Sequence, residues 1–418
     1  QFARDLERDT GKKLRFTYFI NSAYFDPSVR GSWIGKARSD AEAMVRFAVV
    51  QQAINEGHEI GNHTVRPQDG SEWTEQQWRA ELDEFHQLTE TNLFKTVLDD
   101  EGKPVFPRWR AMPDAAPGEV GAACTNDSDC GSSMCLEMAP GQSFCSAGCN
   151  KNNPCDNGTV CGAPDWNESR DRCLPTPEFP VVHDGEVLFD DRGVPNLAAS
   201  QLESYPIIGF RAPQLGHNQA MFEVLEDLGY RYDTSKVIRP GLPGRVHSGR
   251  TFDGIYEFGL MKHSGSRTIP MDYNYKFNDV DGERMISDYK NSVRLAYANG
   301  RQPWNIGHHF SLWKGGAYWH AMKETFRYAA EGCPEDGQLA CPEVEFPTFV
   351  ELTDRLDAIN ASRGGDLDDA ADLFATPGIE MDDTFLTETG CGDDDFYEGH
   401  GIHSGSAQPI RPERHHSH

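Results

Sequence analysis

The sequence predicts an α/β fold built on a parallel sheet or barrel and interrupted once by a disulfide-stapled insert. Apolar segments alternate strand, helix, strand, helix through the first hundred residues, and the pattern resumes after residue 205. Between these stretches lie eight of the 11 cysteines, from Cys124 to Cys173, in a segment almost without aliphatic residues. At 418 residues the chain can bury one large core and carry extra parts.

Phe2, Ala3 and Leu6 are spaced for one face of a short helix. Leu14 to Ile20 is apolar and aromatic enough for a strand. Ala41 to Glu56 is amphipathic and stops at Gly57, as a helix C-cap should. His58 to His63 gives the next strand and Thr74 to Leu93 a second amphipathic helix. After the insert, Ile207 to Arg211 is a strand and Gln219 to Leu228 a helix, and the α/β pattern runs on to about Asn360.

Residues 121–175 are too polar to fold by burial, so disulfides must hold them. Eight cysteines allow 105 pairings, and the sequence selects none. Cys333 and Cys341 can close a small loop, and Cys391 is left over. Residues 361–418 carry acidic runs such as Asp393 to Asp395 and end in His-His-Ser-His, the composition of a poorly packed tail. Asn126, Asn157, Asn167 and Asn360 sit in glycosylation sequons, which are frequent by chance. Asp127 and Asp129 are calcium candidates set against the commoner reading as solvated loop acids.

A formal charge of −27 argues against nucleic acid or an anionic membrane as partner. No run of 18 apolar residues is present, so no membrane span is expected. The chain opens at Gln1 without a basic and apolar leader, which fits a processed product or a fragment. The cysteine density fits an oxidising, secreted or periplasmic setting.

Four motifs then appear in order. Glu56 to Thr64 reads Glu-Gly-His-Glu-Ile-Gly-Asn-His-Thr. His58 and His63 are five apart, about 140° around a helix, so they are not the pair of a helical zinc protease, which needs four. Gly209 to Asn218 reads Gly-Phe-Arg-Ala-Pro-Gln-Leu-Gly-His-Asn; Pro270 to Tyr275 reads Pro-Met-Asp-Tyr-Asn-Tyr; Pro303 to Trp313 contains His308-His309. Together these resemble the polysaccharide deacetylases, the NodB-like carbohydrate esterases, over roughly residues 14–110 and 180–355.

That resemblance implies an irregular (β/α) barrel and hydrolysis of acetyl groups on a chitin-, peptidoglycan- or xylan-like polysaccharide with a divalent metal, most often zinc. It makes His63 a metal ligand. The family's second histidine falls on Pro67, which has no donor atom, and Asp69 is the nearest replacement. Arg211 matches the motif arginine, Gln214 stands where a backbone N–H stabilises the oxyanion, and Asp272 is the acid expected to hold Arg211. His309 aligns with the catalytic acid, and His308 would replace it after a one-residue slip. Tyr275 and Trp313 are expected to line the sugar site. The family's first motif, Thr-Phe-Asp-Asp, supplies a base and a metal-binding aspartate, and nothing before Phe16 matches it. The chain as written is therefore expected to be a poor deacetylase or none. The alternative from another class is a glycan-binding or adhesion protein on such a barrel, with the cysteine-rich insert as a possible recognition knob.

Overall fold

The computed structural model describes residues 1–363 except 31–35, 151, 157, 163–170, 190–196, 239–243, 248–250, 264–267, 299–300, 310 and 336–337. The acidic tail with Cys391 and the sequon at Asn167 lie outside the described residues.

Helix α1 (Phe2–Thr10) ends at Gly11, whose φ of 71° is the left-handed conformation that closes a helix. Strand β1 (Thr17–Ile20) leads to α2 (Asp40–Asn55), where Ser39 accepts a hydrogen bond from Glu42 N–H and caps the first turn. Strand β2 (Glu59–Asn62) leads to α3 (Glu75–Glu90), opened by a reciprocal capping box between Thr74 and Gln77. The insert contributes β3 (Ala123–Cys124), β4 (Cys135–Ala139), β5 (Gln142–Cys145), β6 (Val160–Gly162) and β7 (Arg172–Leu174). A hairpin, β8 (Pro180–His183) and β9 (Glu186–Phe189), follows. The main fold then resumes with β10 (Gly209–Phe210), α4 (Gln219–Asp227), β11 (Tyr232–Asp233), β12 (Val237–Ile238), β13 (Gly244–His247), β14 (Thr251–Glu257) and β15 (Leu260–Met261). Helices α5 (Asp272–Phe277), α6 (Gly282–Ala298), α7 (Trp313–Ala330) and α8 (Phe349–Arg363) complete it.

The principal sheet has the order β1-β2-β10-β11-β14-β13. Its first five strands are parallel and β13 is antiparallel at the edge. The α/β class expected from the alternation is thus present, with helices joining parallel strands. Beyond this sheet, Met271 makes a parallel bridge to Gly307 and Leu14 one to Phe346.

Glu59 starts β2 at 3% exposure. It receives hydrogen bonds from Tyr232 Oη at 2.6 Å, Thr17 Oγ1 at 2.8 Å and Val350 N at 3.1 Å. Burial raises its carboxyl above the usual range although these donors oppose the shift. The acid ties three elements together below the sheet, at the opposite strand ends from the motif residues.

All eight insert cysteines pair among themselves: Cys124–Cys135, Cys130–Cys145, Cys149–Cys161 and Cys155–Cys173. Cys333 and Cys341 form a fifth disulfide. Among its described residues the insert forms no separate apolar cluster. Its apolar residues Ala139, Phe144 and Leu174 join the cluster of Phe25, Val45 and Ala48 from the main fold. Arg38 fixes the junction, reaching Asp171 at 2.6 Å and Glu42 at 3.0 Å. Asp127 and Asp129 are consumed locally, accepting from Cys135 N and from Thr125 N, both at 2.7 Å. No helix among the described residues is long and apolar enough to cross a membrane.

Candidate functional site at the strand ends

The motif residues gather where the parallel strands end. Strand β2 finishes at Asn62, and His63 N–H still donates to Ile20 O at 3.0 Å. The next residue, Thr64, takes φ 64°, unusual for a β-branched side chain. The turn is held by Asn62 Oδ1 accepting from Thr64 N at 2.6 Å and Thr64 Oγ1 donating to Arg66 O at 2.6 Å. Asn21, after β1, donates to the carbonyls of His63 and Thr64. The sharp turn presents a half-buried His63 beside β10.

His63 Nδ1 lies 2.6 Å from Arg211 O. A carbonyl only accepts, so Nδ1 carries the proton and Nε2 keeps its lone pair. Burial, with the Arg211 guanidinium and His309 adding to it, pushes this imidazole down to about 3; the hydrogen bond to the Arg211 carbonyl opposes them. His63 is therefore a neutral imidazole at ordinary pH, the state a metal ligand needs. His58, by contrast, accepts from Phe16 N at 3.0 Å at the start of β2 and takes no part in the site.

Arg211 follows β10 and is 8% exposed. Its Nε donates to Thr234 Oγ1 at 2.7 Å, its Nη2 to Asn305 Oδ1 at 3.2 Å and its Nη1 to Ile306 O at 3.4 Å. Its guanidinium also lies over the Phe19 ring, 4.8 Å from the centroid. Burial brings it down to about 10, against the pull of Asp233, Tyr232 and Glu257. The expectation that Asp272 holds Arg211 is corrected here. Among the described residues Arg211 has neutral hydrogen-bond partners only, and Asp272 holds His309 instead.

Asp272 starts α5 at 1% exposure. Its Oδ1 lies 2.6 Å from His309 Nδ1, and its Oδ2 accepts His309 N–H at 2.8 Å. Burial raises its carboxyl, but His309 and His308 outweigh that and hold it below the usual carboxylate range. The His309 side chain is 49% exposed, so its Nε2 edge is open. His308 is buried instead, its Nδ1 4.0 Å from the other oxygen of the same carboxylate. Its side chain is 3% exposed, its Nε2 lies 3.1 Å from Tyr289 Oη, and burial takes it down to about 4 against the pull of Asp272. His309 is thus the histidine open to solvent, and His308 is buried beneath the same carboxylate.

Gln214 is exposed on a turn with φ 56°, and its Nε2 donates to Pro67 O at 3.1 Å. It ties the β10 loop to the loop after His63. Asp69 lies in that second loop, its Oδ1 accepting from Ser71 N at 3.0 Å. A Cβ on Gly216 would overlap Asp69 Oδ1, so glycine is what lets the two loops meet.

Trp313 lies by the open histidine, 5.6 Å from the His309 ring. Tyr275 does not line the site, correcting that expectation. It is 0% exposed, and its hydroxyl donates to Asp288 at 2.8 Å in the cluster with Met285 and Tyr289. The sequence reading missed Tyr273, which stands against Trp313 and His309, Lys276, which lies on the Trp313 ring, and Phe277, which stacks on Tyr273. Tyr273 and Phe277 are four apart and so share a helix face, a signal visible once α5 is read as a helix.

The metal expectation meets a donor set that does not fit it. A catalytic zinc takes three protein ligands. Among the described residues, the only groups of three potential ligand atoms within 4.8 Å are Cys124, Cys130 and Cys145 and Cys149, Cys155 and Cys161. All six sulfurs are already in disulfides. His63 is oriented like a ligand but has no convergent partners there, and Pro67 offers only a carbonyl already used by Gln214.

Neither a scan against models of known protein families nor a search of curated proteins finds a match for this chain.

Proposed function

We propose that this chain hydrolyses acetyl groups on an extracellular polysaccharide, on an irregular (β/α) barrel of the polysaccharide deacetylase type. The observation that carries the reading is the Asp272–His309 pair, with its open imidazole beside the strand ends that carry His63 and Arg211. The reach of Arg211 from β10 to Asn305 and Ile306 supports a curved sheet around that centre. The five disulfides accord with the extracellular setting.

With Nδ1–H directed at Asp272, neutral His309 can accept a proton at Nε2. Water loses that proton as its oxygen bonds to the acetyl carbon. The C–N or C–O bond then breaks, the proton passes from His309 to the departing nitrogen or oxygen, and acetate leaves. No step is assigned to a metal.

The second reading is a protein that binds glycans without cleaving them, and the incomplete donor set around His63 favours it. Acetate release from acetylated xylan, chitin oligomers and peptidoglycan separates the two, measured with chelator and with added zinc. Release that disappears in His309→Ala supports hydrolysis. No release by the unmodified chain under any condition supports the binding reading, and release unchanged in His309→Ala removes His309 from the chemistry.

A further inference from the structure

The open side of His309 is bordered by a patch that the hydrolytic chemistry does not use. Tyr273 is 38% exposed and Phe277 64% exposed, and their rings stack with centroids 6.5 Å apart. Tyr273 also meets His309 at 6.1 Å and Trp313 at 5.8 Å. Large aromatic rings are seldom left this exposed side by side without a ligand to cover them.

A cation stands on the same patch. The Lys276 ammonium lies 4.2 Å from the Trp313 ring centroid and 5.8 Å from that of Tyr273. Among the described residues it has no acidic partner, whereas Lys314 nearby is paired with Asp279 at 2.7 Å. In a chain of net charge −27, this ammonium sits on aromatic rings rather than on one of the 66 acidic side chains, which leaves its charge available to an anionic ligand.

We propose that Tyr273, Phe277 and Trp313 form a saccharide subsite whose occupant carries a carboxylate, a uronic acid unit bound by Lys276. The apolar C–H face of a pyranose covers the Tyr273 and Phe277 rings, and the sugar carboxylate meets the ammonium at the rim. This rests on the polysaccharide reading above and narrows it to an acidic polymer with the acetylated unit at His309. Direct charge pairing at a partly exposed site is a modest, salt-sensitive term, so it sets preference, while the rings supply most of the affinity.

The test is binding without turnover, by calorimetry at low and high salt. The probes are a galacturonate tetramer and its neutral methyl ester, neither of which carries an acetyl group. The unmodified chain should prefer the galacturonate by about tenfold at low salt and by less at high salt. Tyr273→Ala and Phe277→Ala should each weaken both probes by about tenfold. Lys276→Met should erase the preference and leave the neutral probe unchanged. All three side chains are exposed, so circular dichroism should show folded variants. Equal affinity for both probes, no binding of either, or unchanged binding in the two aromatic variants would overturn the proposal. A chain that binds galacturonate but releases no acetate leaves this subsite standing and removes only the hydrolysis. A chain that deacetylates chitin oligomers but ignores galacturonate does the reverse.

Discussion

Asp272 grips His309 at two points, one carboxylate oxygen on the ring Nδ1 at 2.6 Å and the other on the backbone N–H at 2.8 Å. A buried carboxylate that fixes both the tautomer and the position of an exposed imidazole is an arrangement for moving protons. Asp272→Asn keeps the shape but substitutes an amide for the charged acceptor. If His309 carries the proton, acetate release should fall by a factor of roughly 10²–10⁴, with a smaller loss of stability, about 1 to 3 kcal/mol for the broken charged hydrogen bonds. Urea unfolding alongside the acetate assay separates the two effects. A variant that loses stability but keeps full turnover would reduce Asp272 to a structural anchor for the His309 segment.

Gly216 decides whether the two site loops can meet. Its missing side chain leaves the space occupied by Asp69 Oδ1 and the Gly70 backbone. Gly216→Ala should force residues 69–70 away and cost about 1 to 3 kcal/mol, the usual cost of overfilling a tight site. The Gln214–Pro67 link should loosen with it. Faster amide hydrogen exchange over residues 64–72 in the alanine variant is the readout, and an unchanged exchange pattern would mean that the loop contact carries no weight.

The legible parts of this fold were those where local chemistry and burial agree. Helix α2 was readable from its long run of helix formers and Gly57, and its cap Ser39 appears where the helix starts, but its buried residues are spread around the helix rather than gathered on the single face expected. His308 and His309 do differ in burial, one enclosed and one half exposed, but they lie outside any strand and both ring Nδ1 atoms face Asp272, so strand alternation is not the cause. The misreading of Tyr275 comes from a change of period. Read as a strand end, Tyr273 and Tyr275 share a side; as the helix Asp272–Phe277 they point about 160° apart, which buries one and exposes the other. Arg211 misled for another reason. Its partners Thr234, Asn305 and Ile306 are neutral and lie 23 to 95 residues away, so no charge pattern in the sequence marks them.

The disulfide pairing of the insert could be found only in three dimensions, and it is directly checkable. Non-reducing peptide mapping should recover Cys124–Cys135, Cys130–Cys145, Cys149–Cys161 and Cys155–Cys173. Cys149→Ser with Cys161→Ser should destabilise the insert by about 2 to 5 kcal/mol. Because Leu174 and Phe144 belong to the core that contains Phe25 and Val45, the loss should propagate. The main thermal transition should therefore shift down as well, and a transition unmoved by the double variant would show that the insert is an independent appendage.

The last prediction concerns Glu257, which ends β14 directly opposite Asp233 at the end of β11. Both are buried, at 7% and 0% exposure. Asp233 accepts from Ser235 Oγ at 2.6 Å and from Ser235 N–H at 2.8 Å. Ser235 Oγ in turn accepts Ala212 N–H at 2.8 Å, which anchors the loop carrying Arg211. Burial and the neighbouring Asp233 carboxylate raise the Glu257 carboxyl well above its ordinary 4.5, with Lys236 pulling it down. A carboxyl raised in the folded state contributes stability that is complete below 4.5 and is lost as pH rises through the raised value. Glu257→Gln keeps the shape and cannot ionise. It should leave the melting temperature at pH 4 nearly unchanged and make the variant the more stable of the two proteins on the alkaline side. Melting curves from pH 4 to 9 on both proteins provide the comparison. If the two profiles stay parallel, Glu257 does not titrate in that range and the pair shares no proton. If they diverge as pH rises, the acid pair behind Arg211 sets an upper pH limit on the integrity of the candidate site.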